Sequence, residues 1–124
     1  MNLPFAVSLL SSLVLALAVA GCKREAQPDA TAPLQQSYQG AAPEVQKAVN
    51  TVTASLKAGN YAEATRVLTP LVTQRPMTSA QREAVGVALQ QINQAIAANP
   101  SLDTREMYEM RAKMFQAVHS GPRF

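Results

Sequence analysis

Across residues 45–118 the large apolar residues recur every three or four positions, and the runs they form are separated by helix-stopping residues. That periodicity is the strongest constraint on the chain, because it places apolar side chains on one stripe of a helix and defeats the alternation a strand needs. Pro43 is suited to a first helical position, where its missing N–H is no loss. Behind it come Val45, Ala48, Val49, Val52 and Leu56, ended by Gly59. Asn60 with Glu63 has the spacing of a capping box. It opens a second stripe of Tyr61, Ala64, Val67, Leu68, Leu71 and Val72, closed by Pro76. Pro70 falls inside this stripe and is expected to kink or shorten the helix near Arg66. Thr78 with Gln81 opens the third stripe, Val85, Ala88, Leu89, Ile92, Ala95 and Ile96, which stops at Asn99-Pro100. A fourth opens with Asp103 as expected cap and Glu106 completing the box, with Leu102 positioned to staple onto Met107. It carries Met107, Met110, Met114, Phe115 and Val118, and ends at Gly121-Pro122. The expected fold class is all-α: about four amphipathic helices packed as stacked antiparallel hairpins over residues 43–121.

Composition supports helix over strand. Tryptophan is absent and aromatics make up 5% of the chain, so the core must be built from Leu, Val, Ile, Met and Ala. Eleven basic and eight acidic residues leave a net charge of +3. The excess is scattered and forms none of the basic stripes that nucleic-acid binding requires.

Ahead of the helices lie two segments of different character. Residues 3–21 are apolar except for Pro4, Ser8, Ser11 and Ser12, and they end in Val19-Ala20-Gly21-Cys22, which holds the chain's single cysteine. That string, an aliphatic residue, two small residues and a cysteine, resembles the lipobox of bacterial lipoproteins. The resemblance implies cleavage between Gly21 and Cys22, diacylation of the Cys22 thiol and a further acyl chain on its new amine. Residues 1–21 would then be a signal peptide. Two or three acyl chains, at about 0.8 kcal/mol per buried methylene, anchor stably where one does not. The residue after the cysteine is Lys23 rather than the Asp associated with inner-membrane retention, so the resemblance points to the outer membrane, facing the periplasm. The chain departs from the usual pattern in one respect. No Lys or Arg precedes the apolar run, and Lys23 and Arg24 follow it instead. The alternative is therefore an uncleaved single span: nineteen residues at 1.5 Å reach roughly 28 Å, and the positive-inside tendency would put the helical domain in the cytoplasm. Residues 22–42 contain Pro28, Pro33 and Gly40, with Leu34 and Tyr38 their only large apolar side chains. This segment is expected to be a lipid-anchored flexible tether.

Gly59, Tyr61, Ala64, Leu68 and Pro76 stand in the register of the second half of a tetratricopeptide repeat, and the segment resembles that family. Val85-Gly86 falls where a following repeat would have Leu-Gly. Ala48 stands where the family has a large aromatic, and Leu71 replaces a usual Ala, so the resemblance spans one repeat. It implies a helical hairpin that serves protein–protein interaction, as in envelope-assembly lipoproteins of this class.

Signals for chemistry are sparse. The single histidine, His119, lies in the last turn of the fourth helix, where an imidazole is favoured by the carbonyl end of the helix. An acylated Cys22 has no free thiol. No phosphate loop, catalytic constellation or pair of metal ligands at helical spacing is present, so no catalytic residues, metal or cofactor are expected, and no small-molecule substrate. The residues singled out for a partner are Met107, Tyr108, Met110, Arg111, Met114 and Phe115. Together with Val118 they cover an arc of the fourth helix wider than a simple stripe, and methionine adapts to varied surfaces. The expected function is a membrane-anchored adaptor that binds an unidentified protein. A small structural lipoprotein that self-associates through the same helix is the alternative.

Overall fold

The computed structural model describes residues 27–120. The described chain is all-α, with five helices and one short 3₁₀ turn: α1 (Thr31–Ser37), α2 (Pro43–Lys57), α3 (Tyr61–Thr73), α4 (Ser79–Ala98), the 3₁₀ turn (Pro100–Leu102) and α5 (Arg105–His119). The four periodic stripes become α2, α3, α4 and α5. The expected signal segment, its cleavage point and Cys22 lie outside the described residues.

Each helix end has a local cause. Pro43 is the first residue of α2. At its other end Gly59 takes a φ of +74°, and the Gly59 and Asn60 amides donate to the carbonyls of Leu56 and Ser55 at 3.1 and 2.8 Å. This is a Schellman closure, which needs a residue tolerant of the left-handed region. Asn60 Oδ1 then accepts from the Glu63 amide at 3.3 Å. Only this half of the expected box forms, because the Glu63 carboxylate turns to Arg66, 2.8 Å away. Thr78 and Gln81 make the full reciprocal box at the start of α4, at 3.1 and 3.0 Å.

Two expectations about helix ends are corrected. Asp103 does not cap α5; Thr104 does, its hydroxyl accepting from the Met107 amide at 3.2 Å. Asp103 closes the 3₁₀ turn instead, and its carboxylate is taken by Arg111 at 2.6 Å. Pro70 does not shorten its helix to near Arg66: α3 runs through it to Thr73. One proline removes a single donor, and three threonines on the same helix bond back one turn. Thr65, Thr69 and Thr73 donate to the carbonyls of Tyr61, Thr65 and Thr69 at 2.7, 2.6 and 2.9 Å. Buried Thr65 and Thr69 thus satisfy their hydroxyls without a tertiary partner.

The largest departure lies in residues 22–42. The part of the expected tether from Ala30 onward is ordered and packed: Ala30 and Leu34 are fully buried and Tyr38 nearly so. Pro33 does not block α1, since it occupies the third helical position, where the amide would have no intrahelical acceptor anyway. Ala30, Leu34 and Tyr38 are spaced by one turn and form a stripe of their own, joined to the same core as Val52, Leu68, Ile92 and Met114. Gly40, at φ +78°, turns the chain from α1 toward α2.

Consecutive helices α2 and α3 pack together, as do α4 and α5. α3 lies along α5 and only lightly against α4, while α1 lies on both α2 and α4, which scarcely touch each other. α1 therefore fills the space between the two pairs on one side, and the α3–α5 contact joins them on the other. An ion pair between Arg66 and Glu106 at 3.5 Å spans α3 and α5 at the surface; both side chains are half exposed, so it adds little to stability.

Candidate interaction surface

The arc expected to receive a partner splits when α5 packs. Met107 and Met114 are buried in the core, and Met110 and Val118 are partly covered against it. Four residues of the stripe thus serve the fold. Tyr108 and Phe115 do the opposite: they are 64% and 57% exposed, the two large apolar side chains that stand out from the described surface. They lie seven residues apart, two turns of α5, and so point the same way about 10 Å apart.

Both line a groove of about 940 Å³ between α4 and α5, with Val87, Leu89 and Asn93 on the α4 side. Gly86 opens the floor of this groove, as no neighbouring atom lies within 4 Å of where its Cβ would be. Phe115 is held in position from below. The His119 ring stacks on it, with centroids 4.0 Å apart and planes at 28°. His119 Nδ1 lies 2.9 Å from the Phe115 carbonyl oxygen. That oxygen can only accept, so Nδ1 carries the proton and the imidazole caps the last turn. The expected helix-end role of His119 is what this geometry describes, with the added stacking.

Arg111 sits at the middle of the groove but is committed to the protein. Its side chain is only 19% exposed. One terminal nitrogen donates to Asp103 Oδ1 at 2.6 Å and the other to Asn93 Oδ1 at 2.8 Å. The guanidinium therefore ties α5 to α4 and to the end of the 3₁₀ turn. It stiffens the groove wall and offers little free charge to a partner. A substitution such as Arg111→Glu would set a carboxylate against Asp103 and test the fold rather than the surface.

Among the described residues no group of three or more His, Cys, Asp or Glu is placed to hold a metal ion, and no helix is long and apolar enough to cross a membrane. Comparisons with protein-family models, with curated proteins and with solved structures return no match for this chain.

Sequence reasoning found α5 as the surface helix and named both exposed aromatics. It missed the contribution of α4. Gly86, Val87 and Asn93 lie on the edge of the third stripe, and nothing in a helical period says which edge a neighbouring helix leaves open. It also missed the Arg111 clamp, because Asp103 lies ahead of α5, where helical spacing does not say which side chain it meets.

Proposed function

We propose that the chain is a lipid-anchored adaptor of a bacterial envelope, tethered through acylated Cys22, whose helical domain binds another protein at the α4–α5 groove. The observation that carries the binding half is the pair Tyr108 and Phe115, held exposed at the mouth of an apolar groove whose walls are fixed by Arg111 and His119. Large aromatics at the rim of a preformed groove supply contact area at little entropic cost, and such residues dominate binding energies. The anchoring half rests on Val19-Ala20-Gly21-Cys22, and Lys23 favours the periplasmic face of the outer membrane.

A tetratricopeptide-like arrangement of the two helix pairs is part of the reading. In its support, Gly59 makes the inter-helix turn with positive φ, and Ala64 and Leu68 are fully buried where the family pattern has its packing positions. α1, packed against α2 and α4, lies outside the segment that carries the resemblance. The reading assigns the domain no catalytic step, and its mechanism is local concentration at a membrane.

Two measurements test it. An intact mass of the native protein extracted from membranes should equal the chain beginning at an acylated Cys22; a full-length unmodified mass would refute the anchor and favour the single-span alternative. A photo-crosslinking amino acid at position 115 should trap one defined envelope protein, while the same group at exposed Lys47 traps none. Cross-links only between copies of the chain would replace the adaptor by a self-associating structural lipoprotein.

A further inference from the structure

α1 is held like a ligand. Its seven residues make two turns, too few to be helical in isolation, and its N-cap, Ala30, offers no side-chain acceptor. What holds it is one row of apolar side chains, Ala30, Leu34 and Tyr38, spaced by four, with Thr31 buried beside them and its amide donating to Asp29 Oδ1 at 3.0 Å, while Gln35, Gln36 and Gln39 on the other face are exposed. Two glutamines of α4 grip its ends. Gln91 Oε1 accepts from the Ala30 amide at 3.0 Å, and Gln81 Nε2 donates to the Ser37 carbonyl at 3.3 Å. Residue 30 thus faces residue 91 and residue 37 faces residue 81, so α1 runs antiparallel to α4. The polarity matches the need: an acceptor where a helix start has free amides, a donor where a helix end has free carbonyls. The remaining helices stay connected without α1, through α2–α3, α3–α5 and α4–α5 contacts.

From this placement we infer that the face between α2 and α4 is a receptor for a two-turn amphipathic helix, occupied in the resting protein by the chain's own residues 30–38. Its external ligand is a segment of a partner protein with the same spacing: a small residue, an aliphatic residue four positions on, and an aromatic four beyond that. Gln81 and Gln91 read only backbone ends, so they accept any sequence that fills the three apolar positions. The short hinge, residues 39–42, includes Gly40 in the left-handed region and lets α1 leave without disturbing α2. The inference deepens the adaptor reading, since the partner segment comes from a client. The cradle itself is measurable without one.

The test uses a labelled peptide of residues 27–41 and the full-length protein in detergent, as wild type and as Leu34→Glu, with binding read by fluorescence anisotropy. Leu34→Glu should keep its helical signal and its cooperative melt and bind the peptide saturably. Wild type should bind it about ten-fold or more weakly, because its own α1 occupies the site for most of the time. A peptide that itself carries Leu34→Glu should bind neither. In wild type, backbone amides of residues 34–38 should exchange hydrogen at least about ten-fold faster than those of residues 88–92 in α4. Equal protection of the two segments, loss of the cooperative melt in Leu34→Glu, or failure of the folded variant to take up the peptide would each make α1 a permanent part of the core. None of these outcomes bears on cross-linking at position 115, so the two readings fail separately.

Discussion

Tyr38→Phe is expected to stabilise the protein. The Tyr38 ring is buried in the common core, and its hydroxyl is shut off from solvent with no hydrogen-bond partner. An unpaired buried hydroxyl costs about 1–3 kcal/mol relative to water, whereas the ring's own burial is unchanged by removing the oxygen. The oxygen's lost dispersion contacts offset part of this, which leaves a net gain of about 1 kcal/mol. For a domain of this size, that corresponds to a rise in Tm of about 4–8 °C. The assay is thermal unfolding followed by circular dichroism at pH 7, wild type against variant. A second arm fixes the cause. Burial pushes the Tyr38 hydroxyl above the usual tyrosine value, so the folded state favours the protonated form. Its contribution is complete below the ordinary pKa near 10 and is lost as pH rises through the higher folded value. Wild type should therefore lose stability in alkali more steeply than the variant, and the gap between them should widen above about pH 10. A Tyr38→Phe protein less stable than wild type at pH 7 would refute the reasoning and show that the hydroxyl is satisfied in solution, by a bound water for example.

Gly59→Ala should cost about 1–2 kcal/mol in denaturant melts: open space surrounds the added Cβ, so the whole penalty is the left-handed φ of +74°. Thr104→Ala should cost about 1 kcal/mol by loss of the α5 cap. Asp103→Ala leaves that cap intact and should instead loosen Arg111, seen as weaker amide protection at the start of α5 and around Asn93. The Thr31 amide donates to Asp29 Oδ1 at 3.0 Å and holds that carboxyl below its usual range. Its contribution to the start of α1 is thus present above the ordinary carboxylate pKa and lost as pH falls through the lowered value. Lower protection factors in α1 at about pH 3 than at pH 6, each corrected for the intrinsic exchange rate at that pH, are the expected signature, and Asp29→Asn should abolish the difference.

How far the sequence could be read depends on which signal each element carries. α2 to α5 are long enough for their 3.6-residue period to stand out, and three of their four starts are marked by Pro43, Asn60 and Thr78. At the fourth, Asp103 and Thr104 are adjacent and both can cap; tertiary pairing with Arg111 decides in favour of the threonine, which no local rule contains. α1 shows the opposite failure. Its stripe of Ala30, Leu34 and Tyr38 was visible, but three positions lie below the length at which periodicity outweighs two prolines and a glycine. The structure reverses that balance because Pro33 falls in the first turn and Gly40 falls after the last. Tyr108 and Phe115 were legible as candidates only as members of a wide arc. Separating them from Met107 and Met114 required knowing that α3 and α4 both pack on α5 and leave Tyr108 and Phe115 exposed among the described residues.

The position of α1 also decides how the domain responds to being pulled. A load entering through the amino-terminal chain reaches the start of α1 first, and there it meets two turns of helix held by four buried side chains, Ala30, Thr31, Leu34 and Tyr38, and two glutamine contacts. α2 feels that load only after α1 has peeled away, which pays out roughly 45 Å of chain between Ala30 and Pro43. α1 thus works as a fuse in series with the helical body. If the proposed anchor at Cys22 and the proposed client at the α4–α5 groove both hold, tension between them would be absorbed by detaching one short helix that can re-seat, while the groove keeps its shape.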